Sequence, residues 1–479
     1  MRRWATSLAV VCTLAAAGGA HAGGFAVARY AGEHGHVATE HPTAIYFNPA
    51  GMALGSGWRI YAEGIVALRK VDYKRPQGAI GNVQEEGETS SGTPEDAIDA
   101  NSGNATLRNV IVSPFLGAIT DLGVPNLAVG IAFYAPFGGQ ASWDKNDDFE
   151  GDDRYPGAED GVQRWSTIEG ELRSIYLTLA GAYRLAGPRV AFGGGISLVR
   201  SNLWTVRARN AAGTDDLVSG AGELQEGRSL IETDGLSVAA SAGVMWQPTE
   251  VVWIGASYQS KPGFGATRQS GTLTNKLGNL PAETSDIELE QTLPDIVRLG
   301  ARARPTRNVE LRVAGEWQRW SVFEHQCFMD AGVDGSSCDL DEDGGATGDA
   351  SGVIVNIPRW WKDSYGVRGG ASYWVVPELE LNGGVNFDTS AVPDRTVDAS
   401  LLDQDKFIVL AGARWTATPN LIFGLSLNNV FYLRRKVAPR SASGSDDLEA
   451  PEPPSTVPDG GGTYKQNVFY VNLGTELRF

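Results

Sequence analysis

The chain has 479 residues, 60 of them glycine and 13 tryptophan, and a formal net charge of −17. That acidity excludes the basic surface nucleic-acid binding requires, so no nucleic acid is expected as a partner. Beyond the N-terminal leader no stretch supplies the ~18 consecutive apolar residues of a spanning helix, which excludes a helical membrane protein but not a barrel, whose strands carry half that signal.

The leader reads MRRWATSLAVVCTLAAAGGAHA. Arg2 and Arg3, the apolar run from Trp4 to Ala17 and the small-x-small Ala20-His21-Ala22 predict a signal peptide over 1–22 rather than a buried helix. Residues 23–56 follow, rich in Gly and Ala and poor in strand alternation. So short a segment cannot bury a core of its own, so it must pack on another surface, and a barrel lumen is the one available. It is therefore expected to be a plug. His34, His36 and His41 fall within it, beside Glu33 and Glu40. A His-x-His pair with a third His is a metal-ligand pattern. Without a rigid scaffold, however, polar residues facing a wet lumen are the preferred reading, with protonation near about pH 6 left open.

Residues 57–479 alternate. Short proline turns at Pro125, Pro188, Pro248, Pro305, Pro377 and Pro419 separate pairs of strand-like segments. Long polar stretches join the pairs, over 74–103, 138–164, 209–230, 269–283, 326–357, 393–404 and 436–463. Sorting of loop lengths by parity implies fourteen antiparallel strands with both ends on the short-turn side, an all-β transmembrane barrel. From Asp295 onward Val297, Leu299, Ala301 and Ala303 alternate with Arg298, Gly300, Arg302 and Arg304. Across the Pro305 turn Glu310 and Glu316 share the face of Arg298 and Arg302, so the four are expected to pair inside the barrel. Trp320, Trp360, Trp361, Phe431, Tyr432 and Tyr464 lie near strand ends and suit interfacial girdles, with lumen packing open for some of them. The terminal strand alternates as well, with Phe469, Val471, Leu473, Leu477 and Phe479 on one face.

Cys327 and Cys338 are expected to form a disulfide, the alternative being two free thiols. Asp339, Asp341 and Asp343 match the opening of a calcium loop, but Ala350 stands where its closing Glu belongs. The two readings are a calcium site, the one cofactor entertained, and an acidic outer loop bridged by divalent ions to lipopolysaccharide. Catalytic motifs are absent, and His325 beside Glu324 is the sole barrel histidine.

The N-terminal segment resembles the hatch of the FadL-type long-chain fatty acid transporters, through Gly24-Phe25 and Asn48-Pro49-Ala50-Gly51-Met52. AFYAPFGGQASWD (132–144) resembles the family's third strand. LPDIVRLGARARP, EWQRWSVF, WKDSYGVRGGASYWV and LNGGVNFDTSAVPD extend the likeness over nearly the whole chain. The resemblance implies a monomer in the outer membrane of a Gram-negative bacterium, plugged by the hatch. It further implies an apolar pocket and sideways exit into the outer leaflet at a kink in the third strand. Pro136, Gly138 and Gly139 give that kink a physical basis. The hatch's Asn48, with Pro49 and Ala50, is expected to bond the unpaired backbone there. Phe25, Val27, Tyr134 and Phe137 are the expected pocket liners, and Arg298 or Arg302 the expected partner of a carboxylate head. The expected function is passive uptake of hydrophobic molecules such as long-chain fatty acids. The alternatives are a porin with a leaky plug and a lipid hydrolase using His325.

Overall fold

The computed structural model describes residues 29–81, 92–185, 187, 189–341, 345–439 and 458–479. The expected leader and the expected liners Phe25 and Val27 lie outside these residues, as do Asp343 and Pro188.

Alternation of side chains becomes alternation of environment along each strand. The strands are β1 (Arg59–Arg75), β2 (Gly103–Thr120), β3 (Leu127–Ser142), β4 (Glu169–Leu185), β5 (Val190–Arg209) and β6 (Gly227–Trp246). Four more are each interrupted once: β7 (Val252–Gln259 and Thr267–Lys276), β8 (Glu283–Gln291 and Ile296–Thr306), β9 (Val309–Gln318 and His325–Asp330) and β10 (Val353–Pro358 and Ser364–Val376). The last are β11 (Leu379–Asp388), β12 (Lys406–Thr418), β13 (Leu421–Tyr432 and Arg435–Val437) and β14 (Gly462–Arg478). Each pairs antiparallel with the next. β1 pairs with both β2 and β14, from Arg59↔Arg478 to Lys74↔Thr463, and so closes a fourteen-stranded barrel.

Turns and loops sort to opposite ends. β2–β3, β4–β5, β6–β7, β8–β9, β10–β11 and β12–β13 are joined by the short connections. At the other end the segments 76–81, 92–102, 143–168 and 210–226 pack on one another. There the fully buried Arg164 donates to Glu226 (2.9 Å) and Asn101 (2.8 Å), and Arg75 pairs with Asp215 (2.6 Å). One expected long loop, 269–283, is instead mostly strand. Thr267–Lys276 pairs with β6 on one side and Glu283–Gln291 on the other. Its outer face is polar because it stands beyond the apolar band, while Gln269 and Leu273 face inward and are buried, so the usual apolar-out, polar-in alternation is missing.

Leu68, Leu179, Ile196, Leu236, Leu299, Val385 and Leu473 project outward and exposed, whereas Glu63, Arg298, Arg302, Glu310, Arg312, Glu380 and Glu476 are buried in the lumen. Arg298 sits opposite Glu316 in the ladder and pairs with it at 2.6 Å; Arg302 lies 3.9 Å from Glu310. An arginine on the outer face near mid-bilayer costs ~2–4 kcal/mol. Leu299→Arg is therefore expected to lower folding stability in lipid by about that amount, read from denaturant refolding into vesicles. The girdle expectation is corrected in part. Trp320, Trp361 and Tyr464 are buried inside, while Phe431 faces outward. Strands that continue beyond the apolar band keep an inner face there, and large rings fill it.

Candidate functional site

Residues 29–56 form short turns rather than strands: Gly32–His34, Ala44–Phe47 and Pro49–Leu54. Tyr30, Ala38, Ile45, Phe47, Asn48, Ala50 and Met52 are buried against the inner wall. The wall supplies room for this approach. A methyl group on Gly193, Gly243 or Gly255 would run into Ala50, Asn48 or Val37. It also supplies anchors. Arg29 pairs with Asp388, and Asn472 Nδ2 donates to Arg29 O (2.9 Å). The Ala31 N–H donates to both oxygens of Glu63 (3.0 and 2.9 Å).

Asn48 does not reach the third strand. Its Nδ2 donates to Val37 O (2.8 Å) and to Val244 O of β6 (3.0 Å), and its Oδ1 accepts from the Ala50 N–H (3.2 Å). The expected bond to the kink is thereby corrected. Asn48 caps the turn Pro49–Leu54, which packs on β4, β5 and β6.

Burial first, with Arg312 and Arg302 acting the same way, pushes the His36 pKa well below its usual value. Burial does the same to His41, offset only in part by Glu476, and lowers His34 against Glu380. The open question of protonation near about pH 6 is thus answered in favour of neutral imidazoles. Depressed folded-state values favour the neutral rings, so their contribution is intact above about pH 6.5 and falls away as acid is added. Glu33, raised by burial, works in the opposite sense. Amide exchange over residues 32–54, corrected for intrinsic rate, is expected to be faster at about pH 5 than at about pH 7.

Besides the interruptions of β7 to β10, the ladder of the wall breaks at the seam between β2 and β3. β2 and β3 pair from Thr120↔Val129 to Phe115↔Tyr134 and then stop. They meet again at Leu107↔Trp143. Pro136 sits in a bulge of β3, where Tyr134 and Phe137 oppose Tyr176 and Ser174 of β4. The sequence reading missed Pro114 on the facing strand. The Asp144 N–H donates to Thr106 O (2.8 Å), so even-numbered positions of β2 turn their backbone toward β3. β2 runs beside β1 without a bulge, which carries that parity to 114. Pro114 therefore lacks a donor where β3 offers its own bulged proline, and two prolines flank one gap. Near its loop end the Gln140 carbonyl accepts from Asn109 Nδ2 (3.0 Å) and Arg69 Nη1 (3.1 Å).

A cavity of about 340 Å³ opens beside this seam. Gly139, Gln140 and Ala141 of β3 line it, with Leu203, Ile231, Phe328, Ile357, Leu401 and Trp361 as apolar wall. Arg69, Arg207, Arg209 and Arg359 bring the positive charge. Arg359 is paired with Asp398 (2.8 Å). Arg207 Nε and Arg209 Nη1 are buried nitrogens without a hydrogen-bond partner among the described residues. The two sit two positions apart on β5 and so share its inner face.

Tyr134 and Phe137 are fully buried but do not line this cavity. They belong to an aromatic column below it: Tyr134 lies 5.7 Å from Phe115 and 5.6 Å from Tyr176, and Phe137 lies 6.1 Å from Trp320. Trp361, 4.9 Å from Trp320, joins the column to the cavity. The head-group expectation for Arg298 and Arg302 is also corrected. Arg298 is spent on Glu316 and on Tyr46 Oη (2.6 Å). Arg302 stacks on Trp253 (4.3 Å) and faces Glu40 (3.4 Å) in a separate polar cavity at the turn end. Both residues brace the N-terminal segment.

Among the outer loops, Cys327 and Cys338 are joined by a disulfide. Asp339 Oδ2 accepts from Ser337 Oγ (2.9 Å) and Asp341 Oδ1 from the Gly345 N–H (2.7 Å). His325 faces Glu290 (3.8 Å).

An inside-out barrel with a buried N-terminal segment and an apolar, arginine-bearing cavity defines an outer-membrane channel for hydrophobic molecules. The chain belongs to the family of outer membrane protein transport proteins described as OMPP1/FadL/TodX, whose model matches residues 8–450. These are transport proteins of the outer membrane, not enzymes. The chain is 25% identical over 451 residues to outer membrane protein P1 of Haemophilus influenzae, covering 88% of each. A FadL homologue of Pseudomonas aeruginosa shares the fold with a TM-score of 0.70 at 16% identity, over 97% of this chain and 99% of that one. The toluene transporter TodX of P. putida does so with a TM-score of 0.59 at 14% identity, over 91% and 94%.

Proposed function

We propose that the protein admits amphipathic molecules with a long apolar body and an acidic head, of which long-chain fatty acids are the simplest case. The cargo enters between the outer loops, rests in the cavity beside the seam and leaves sideways between β2 and β3 into the outer leaflet. Residues 29–56 act as the plug that denies the straight route. The observation that carries this reading is the double duty of Gly139, Gln140 and Ala141, which line the cavity and also border the unpaired stretch. The apolar walls pay for burying the tail, at about 25 cal/mol per Å². Arg207 Nε and Arg209 Nη1 offer the head charge-assisted hydrogen bonds that no group among the described residues takes up.

Mass spectrometry of molecules extracted from detergent-purified protein tests the reading. The expected result is a long-chain acid, with added oleate bound stoichiometrically. Recovery of detergent and phospholipid alone, with no oleate binding, would overturn it. Permeation of sugars through liposomes carrying the protein would support the porin alternative instead.

A further inference from the structure

Arg69 joins the cavity to the seam. It projects from β1, passes behind β2 and reaches β3, where its Nη1 donates to Gln140 O (3.1 Å). Its Nε and Nη2 both donate to Gln466 Oε1 of β14 (3.2 and 2.8 Å). One guanidinium thus clasps three neighbouring strands, and it holds β3 at the loop end of the unpaired stretch. The same guanidinium lines the cavity, next to Gly139, Gln140 and Ala141. Each of these acceptors is a neutral amide oxygen. A carboxylate forms guanidinium hydrogen bonds roughly twice as strong, often in a bidentate fork.

We infer that Arg69 is the specificity-determining latch of the seam, released by an acidic head group in the cavity and left closed by a neutral one. An arriving carboxylate takes Nη1 from the Gln140 carbonyl. β3 then keeps Asn109 as its tie to β2 at this level, and Asn109 Oδ1 is itself buried without a partner. With Pro114 and Pro136 unable to donate across the gap, little else resists widening. The inference rests on the lateral-exit reading and deepens it. Exit becomes conditional on the chemistry of the cargo, and the arginines do more than bind.

The test compares oleate with oleyl alcohol, equal in chain and different in charge. Val110 and Gln140 face each other across the seam, counting from the Leu107–Trp143 bridge, so spin labels on Val110→Cys and Gln140→Cys report its width. In the otherwise native protein oleate is expected to lengthen that distance and oleyl alcohol to leave it unchanged. In Arg69→Gln the distance should already be long and respond to neither. Loss of one charge-assisted bond corresponds to about tenfold, so the oleate-to-alcohol ratio of initial uptake rates should fall by about that factor in Arg69→Gln. Arg69→Lys, which keeps the charge but loses the fork, should fall between. Equal widening with both ligands, or an uptake ratio indifferent to Arg69, overturns the latch. Bridging the two cysteines with a short crosslinker separates this from failure of lateral exit. If the bridged barrel still transports at full rate, the sideways route itself is wrong. If bridging stops transport while the ratio ignores Arg69, the route stands and the latch falls.

Discussion

Uptake of oleate into Gram-negative cells that depend on this protein is expected to drop to the background of cells lacking it when β2 and β3 are bridged between Val110→Cys and Gln140→Cys. The expectation follows from how a strand wall is made. In hydrocarbon each backbone donor and acceptor needs a partner, so a wall opens only where something else satisfies or removes those groups. Here the ladder is absent between Phe115↔Tyr134 and Leu107↔Trp143. Pro114 and Pro136 remove two donors, and Asn109 and Arg69 occupy the Gln140 carbonyl. On either side β1 pairs with β2 over its whole length, and β4 with β5 from Glu169 to Leu185. A bridge here closes the break that borders the arginine-bearing cavity, which is why its effect should be near total. Each single-cysteine protein, treated with the same reagent, sets the rate against which the loss caused by the bridge is read. A bridged protein with undiminished uptake would redirect attention to the N-terminal segment and the polar cavity beneath it.

What could be read from the sequence was whatever repeats. Strand alternation and the parity of turn lengths are periodic signals, and they gave the strand number, the closure and the inward faces of Arg298, Arg302, Glu310 and Glu316. The N-terminal segment was legible as a piece unable to support itself. Single positions were read less well. Asn48 was assigned to the third strand because unpaired backbone at a kink there would need a hydrogen-bonding side chain. Its actual partner on β6 depends on which wall glycines let a turn approach, and Gly243 and Gly255 lie some two hundred residues away in the chain. Arg298 and Arg302 were offered as head-group partners although their pairing with Glu310 and Glu316 was expected; what the alternation did not show is that they also brace the N-terminal segment, through Tyr46 and Glu40. Arg207 and Arg209 carried a readable signal, two arginines at alternate positions in WTVRAR. They were passed over because the strand runs to Arg209, to the edge of where loop had been expected. Pro114 was equally visible in VSPFLG. Its meaning depended on knowing which edge of β2 its nitrogen faces, which a sequence does not state.

Arg207 and Arg209 should decide how tightly an acid is held. Replacing both, as Arg207→Gln with Arg209→Gln, is expected to weaken oleate binding by about 10- to 100-fold per lost charge-assisted bond, since such a bond is worth ~1.5–3 kcal/mol. Oleyl alcohol, which buries the same chain, should bind the variant almost as well as the native protein. Folding should suffer little. The atoms Arg207 Nε and Arg209 Nη1 have no hydrogen bond to lose among the described residues, and removing these largely desolvated cations relieves a desolvation cost that the attraction of Arg207 to Asp398 offsets only in part. The variant should therefore be at least as stable to heat as the native protein, measured in the same detergent without ligand. Stabilisation together with loss of acid binding is the signature of groups kept for a ligand rather than for the fold. The pair Arg359–Asp398 is the contrast on the same cavity wall. Arg359→Gln leaves buried Asp398 with only the Ser400 and Leu401 hydrogen bonds and the attraction of Arg207, and should cost stability, by up to the about 3–5 kcal/mol of breaking a buried pair. Equal losses of stability in the two variants would mean that Arg207 and Arg209 are structural, and the acidic head would then have no assigned receptor in this barrel.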